Sequence, residues 1–174
     1  MLEKIDRVGW MVQIVAADAD NPTFAYTIGA VQKLGSLLPG ELLLVGTPDY
    51  AEAARVLNWV LSQVTVGVQP LQLGFNDHVF AAGVRAYLGR VKPEFLVSEW
   101  FGVGLWFART FDSGTPYSAI QIVWPTSTSG RFPWQVSSDD PIHQWLGANQ
   151  PMLCDPPSGD EPAPADPVTD PRLQ

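Results

Sequence analysis

Between residues 48 and 65 the apolar side chains Ala53, Val56, Leu57, Val60, Leu61 and Val64 recur at three- and four-residue steps. That spacing draws a single apolar stripe along a helix and leaves its other faces polar. Thr47 is placed to cap the helix, and Pro48 suits its first position. Asp49 and Glu52 set negative charge at the positive end, and Gly67 lies just past the last turn. A helix of this length has little stability alone in water. The stripe must therefore be covered by an apolar layer supplied elsewhere in the chain, and it is core rather than chemistry.

Extended segments supply that layer. Trp10 to Ala16 is mostly apolar and rich in β-branched residues, and it runs into the turn-forming stretch Asp18 to Pro22. Phe24-Ala25-Tyr26-Thr27-Ile28 alternates aromatic and small residues and stops at Gly29, so the two segments predict a β-hairpin with a longer loop. Leu42 to Val45, between Gly40 and Gly46, suits a central strand buried on both faces. Ser118 to Trp124 predicts a further strand ending at Pro125, followed by a turn over Thr126 to Gly130 and the rigid segment Phe132-Pro133-Trp134. Asn76-Asp77 signals a turn, and His78 to Leu88 reads as extended, with Gly83 as a bulge. Pro93 to Phe111 is ambiguous, with a helix over its second half weakened by Gly102 and Gly104. Strands of this kind with one strong helix predict an α+β fold. It comprises a largely antiparallel sheet, the helix at about 48–65, and one or two further helices.

The 174 residues, 46% of them hydrophobic, are enough for one domain, expected over 1–154. From Asp155 onward, prolines alternate with acids, glycine and alanine, and there is almost nothing to bury. Residues 155–174 therefore read as an acidic, Pro-rich disordered tail. The net charge is −8, and five acids in the tail (Asp155, Asp160, Glu161, Asp166 and Asp170) face the single Arg172. Such a balance disfavours nucleic acid and anionic membranes as partners. No run of about 18 apolar residues exists to span a bilayer. The charged start Met1 to Asp6 is no signal peptide, and the single Cys154 allows no internal disulfide, so a cytoplasmic protein is expected.

Constellations for chemistry are sparse. His78 and His143 belong to no metal-ligand spacing, so no metal site is expected, although Asp77, Asp139 and Asp140 lie near them in sequence. Cys154 adjoins the acidic tail, a setting that opposes thiolate formation. Gly102-Val103-Gly104 is only a fragment of a dinucleotide-binding pattern. Glu94 and Glu99 flank an apolar segment, and a buried Glu99 beside Trp100 would have a raised pKa; the plainer reading is that both face water. The stronger signals are aromatic. Seven tryptophans is a high count, and most are expected half-buried or around a pocket. Gln121 to Trp134 concentrates Trp, Phe, Pro and Arg131, a composition suited to a ligand or partner platform or to an edge that seals the core.

These segments carry a resemblance. Gly9-Trp10, Phe24 to Gly29, the apolar strand ending in Gly46, and Gln121-Ile122-Val123-Trp124-Pro125 with Gly130-Arg131-Phe132-Pro133-Trp134 resemble an uncharacterised family of bacterial proteins known as a domain of unknown function. With Gln150-Pro151-Met152-Leu153 the likeness spans nearly residues 5–154. Members often carry His-Pro-Glu before the apolar strand, where this chain has Leu38-Pro39-Gly40-Glu41, and many have an acid at the position of Thr126. The resemblance implies no reaction, cofactor or partner.

The function expected from the residues is a non-catalytic small-molecule-binding or protein-interaction module. Its aromatic face would comprise Tyr26, Thr27, Trp124, Arg131 and Trp134. The alternatives are a hydrolase using His78 with Asp77 or Glu99, a flavin-binding protein, and a homo-oligomer whose aromatic patch is its subunit interface.

Overall fold

The structure, a computed structural model, describes residues 2–18, 22–46, 50–67, 70–77, 79–80, 85–111, 114, 116–125, 131–136 and 151–158. Helix α1 spans Leu2–Val8, strand β1 Met11–Val15, β2 Phe24–Ile28, α2 Ala30–Leu34 and β3 Glu41–Val45. Then come α3, Tyr50–Gly67; β4, Gly74–Asn76; β5, Ala86–Arg90; α4, Ser98–Phe111; and β6, Ala119–Val123. Short 3-10 turns occupy Gly35–Leu37, Pro93–Phe95 and Pro133–Gln135.

The six strands form one sheet in the order β1-β2-β3-β6-β5-β4. Every neighbouring pair is antiparallel except β3 and β6, which run parallel with Glu41 opposite Ala119 and Leu44 opposite Ile122. This is the α+β architecture that the sequence predicts. The β1–β2 hairpin pairs Met11 with Ile28 and Val15 with Phe24, and all five residues of β3 are buried, as expected for a strand covered on both faces.

Alternation along the strands divides the core in two. One face carries Ala25, Leu42, Leu44, Leu88, Ile120 and Ile122, and α3 covers it with Ala53, Val56, Leu57, Val60 and Leu61. The buried residues of α3 are the six that define the sequence stripe. Its capping residues Thr47 to Asp49 lie outside the described residues. The opposite face carries Phe24, Tyr26, Ile28, Leu43, Val45 and Ala119 beneath Phe101 and Phe107 of α4. Helix α4 takes up the ambiguous stretch, and it is kinked at Phe101 (φ −126°, ψ 28°). Helices α1 and α2 have seven and five residues, too short to declare themselves by apolar period. The extended reading of His78 to Leu88 is met by β5 from Ala86; His78 and Gly83 lie outside the described residues.

One buried polar side chain ties the end of the domain to this sheet. Gln121, fully buried in β6, donates from Nε2 to the Pro151 carbonyl at 2.7 Å. Its Oε1 accepts the Leu153 N–H at 2.7 Å and the Cys154 N–H at 3.2 Å. An amide side chain thus stands in for a strand partner, and Cys154 adds a bridge to Val91. Just beyond, Asp155 pairs with Lys92 at 2.7 Å. The tail residues 159–174 lie outside the described residues.

Replacing Gln121 with leucine keeps the volume but leaves two buried N–H groups and a carbonyl without partners, each costing about 1–3 kcal/mol. Urea unfolding of Gln121→Leu is expected to show a loss of about 3 kcal/mol, with early exposure of the 151–154 segment to proteolysis. A loss under about 1 kcal/mol would mean that the segment is held by other contacts.

Candidate functional site

The five residues of the expected aromatic face do not converge. Tyr26 is buried beneath α4, with its ring edge-on to Phe101 at 5.3 Å. Trp134 is half-buried elsewhere on that side of the sheet, stacked on Phe132 at 4.7 Å and edge-on to Tyr87 at 5.2 Å. Trp124 packs instead on the α3 side of the core, near Phe80 at 6.4 Å. Arg131 is exposed. Of the described tryptophans, Trp10, Trp100, Trp124 and Trp134 are half-buried, whereas Trp59 and Trp106 are exposed.

Thr27 leads to a different site. Its hydroxyl accepts the Leu42 N–H at 2.8 Å and donates to Glu41 Oε2 at 2.5 Å. Glu41 opens β3 and is only 5% exposed. Its other oxygen accepts the Val31 N–H at 3.2 Å, and the nearby backbone N–H groups of Gly29 and Ala30 also favour its charged form. Gly29 makes the arrangement possible. At φ 85° it sits in the left-handed region, where a side chain is strained, and it turns β2 directly into α2. Gly40 draws β3 against its neighbour, since a Cβ there would lie 3.1 Å from the Ala119 backbone. Glu41 then donates its own N–H to the Ser118 carbonyl at 2.9 Å. Among the described residues no cation pairs with Glu41. Burial therefore raises the pKa of its carboxyl above the ordinary value, and the hydrogen bonds from Thr27 and the three backbone N–H groups offset this only in part.

Glu41 is one wall of a cavity of about 30 Å³, lined also by Gly29, Gln32, Gly104, Phe107, Tyr117 and Ser118. The Tyr117 hydroxyl is buried and has no hydrogen-bond partner among the described residues. Burial, and then the proximity of Glu41 and Tyr26, push its phenol up. Gly104 admits this ring, because a Cβ there would lie 2.6 Å from the Tyr117 oxygen. Tyr26 supports the same helix from below. The backbone N–H groups of Gly104 and Val103, just after the kink at Phe101, lie near its hydroxyl and favour the ionised phenol. Burial is again the larger influence and raises the Tyr26 phenol.

The other candidates stand apart from this cavity. Glu94 and Glu99 are exposed, so among the described residues the buried glutamate is Glu41. Asp77 is exposed and lies 3.4 Å from Arg85. His78, His143, Asp139, Asp140 and Thr126 lie outside the described residues. Cys154 is buried, and burial pushes its thiol up to about 12. Gly102 and Gly104 lie inside α4 rather than at a strand-to-helix turn. An open groove of about 310 Å³ between α3 and β4 is lined by Val60, Gln63, Leu71, Gln72, Phe75 and Val79, and among the described residues it carries no titratable side chain. Among the described residues no group of three His, Cys, Asp or Glu could hold a metal, and no helix is long and apolar enough to cross a membrane.

A family model described as a domain of unknown function, DUF4262, matches residues 4–139. The chain belongs to the DUF4262 family. No curated protein and no solved structure matches it. In this DUF4262 domain the matched span contains every residue that lines the cavity. The Gln150 to Leu153 segment and the tail fall beyond the match.

Two outcomes follow from this geometry. Because Glu41 holds its proton in the native protein where the unfolded chain has released it, its stabilising contribution is complete below the ordinary value of 4.5. That contribution is lost as pH rises through the raised native value. Urea unfolding across acid to neutral pH should therefore show a falling component that Glu41→Gln removes; an identical slope in the variant would refute the assignment. Tyr26→Phe removes a buried hydroxyl that lies near two backbone amides of α4 and should cost about 0.5–1.5 kcal/mol by the same measurement.

Proposed function

We propose that this DUF4262 domain is a small-molecule-binding module whose ligand seats in the cavity between Glu41 and Tyr117. The observation that carries the reading is the buried Tyr117 hydroxyl without a partner, beside a buried carboxyl that lines the same space. Buried polar groups are otherwise satisfied almost everywhere in proteins, so an unserved hydroxyl at a cavity marks a place where a hydrogen-bonding group belongs. Apolar walls with a few convergent polar groups are the general form of a ligand site. Ile28, Val31, Phe107 and Pro116 supply the walls here. Thr27 takes part by holding Glu41, and Tyr26 by fixing the turn of α4 that carries Gly104. Trp124, Arg131 and Trp134 are not assigned to the site.

The module is read as non-catalytic because, among the described residues, Glu41 and Tyr117 are the titratable groups that line the cavity, with no second acid or base beside them. The hydrolase alternative draws no support from Asp77 and Glu99, both exposed.

Amide chemical-shift mapping with a set of small polar fragments tests the proposal. Shifts are expected at Gly29, Gln32, Gly104 and Ala108. Gly104→Ala should abolish them while leaving the far-UV circular dichroism unchanged, because its methyl group meets the Tyr117 oxygen. Shifts that persist in that variant, or that cluster at Trp124 and Trp134, would move the site elsewhere.

A further inference from the structure

Resting on the proposed binding site, we infer that the group seated between Glu41 and Tyr117 is the hydroxyl of a primary aliphatic alcohol, taken up as a neutral –CH2–OH tip. Three features of the cavity select this class. The first is size. One water-sized sphere needs about 10–15 Å³ of such volume, so the roughly 30 Å³ here holds two or three non-hydrogen atoms. That space admits the tip of a slender chain and not a ring, with the rest of the ligand lying along the wall.

The second feature is the direction of the hydrogen bonds. Tyr117 offers an O–H that nothing among the described residues accepts. Glu41 and Tyr117 line the same space without bonding to each other. A single oxygen that accepts from Tyr117 and donates its own hydrogen to Glu41 closes that gap. A hydroxyl does both, as it has one donor and two acceptor positions. Ser118, also in the wall, already donates its hydroxyl hydrogen to the Pro39 carbonyl at 3.2 Å, so toward the cavity it can only accept. A carbonyl or ether oxygen would satisfy Tyr117 but bring nothing to Glu41. An ammonium would supply donors but leave the Tyr117 hydrogen unserved.

The third feature is charge. No cation stands near Glu41 among the described residues, and the remaining wall is apolar or amide. Seating an ammonium would require a desolvated ion pair in this wall, whose burial cost commonly cancels its attraction. A neutral hydroxyl avoids both ionisations. Ile28, Val31, Phe107, Ala108 and Pro116 then contact the alkyl chain behind the tip.

Titration of the full chain with n-butanol, n-butylammonium and 1-methoxypropane, followed by amide shifts at Gly29 and Gly104, tests the assignment. Butanol is expected to bind in the millimolar range, with the ether of equal atom count at least fivefold weaker because it cannot donate. Butylammonium should also bind at least fivefold more weakly. Tyr117→Phe should weaken butanol roughly fivefold, the value of one hydrogen bond, without lowering the thermal stability of the free protein. That combination would not arise from a merely structural tyrosine. Tighter binding of butylammonium, or equal binding of butanol and the ether, would overturn the hydroxyl assignment and leave the site standing. Absence of shifts with all three compounds would overturn both.

Discussion

The parallel pairing of β3 with β6 governs the rest of the molecule. Both strands are buried along their whole length, so each face of the sheet must be covered, by α3 on one side and α4 on the other. Parallel neighbours cannot be joined by a tight turn. The chain between them makes a long excursion through α3, the β4–β5 hairpin and α4 before returning. Parallel register also brings the two strand starts together, with Glu41 opposite Ala119. Tyr117 and Ser118 immediately precede that position. An antiparallel arrangement would have carried them to the far end of β3. The meeting of a carboxyl and a phenol from distant parts of the sequence is thus a product of topology.

Burying a carboxyl at the start of a central strand is costly, and the surroundings show how the cost is shared. The turn at Gly29 aims three successive backbone N–H groups toward Glu41, and Thr27 adds its hydroxyl. These donors favour the ionised form, burial favours the neutral one, and burial is the larger effect. Tyr117 is not compensated in this way. The two groups differ because one sits against a turn rich in amides and the other against Gly104 and aromatic rings.

The sequence was legible where a periodic pattern met a single environment. The α3 stripe, the β1–β2 hairpin and the wholly apolar β3 each declare themselves because one face, or both, is uniformly buried. Strand order was not legible, since pairing depends on contacts between residues far apart in the chain. Helix α4 was obscured by Gly102 and Gly104, and the second of these is there to admit the Tyr117 ring. Thr27 was picked out for its place beside Tyr26, but the partner that gives it meaning is fourteen positions away. Glu41 carried a faint signal as an acid joined directly to an apolar run; Tyr117 carried none. Trp124 and Trp134 drew attention together because they are near in sequence, yet they pack into different clusters.

Gln121 illustrates another economy. A fully buried amide on the innermost antiparallel neighbour of β5 holds the backbone at Pro151, Leu153 and Cys154, where a seventh strand would otherwise be needed to complete that layer. The fastening reaches one residue further, where the largely exposed Asp155 pairs with Lys92. One side chain of β6 thereby does for a segment without regular secondary structure what a row of ladder bonds does for a strand, and a single substitution there would release three backbone groups at once.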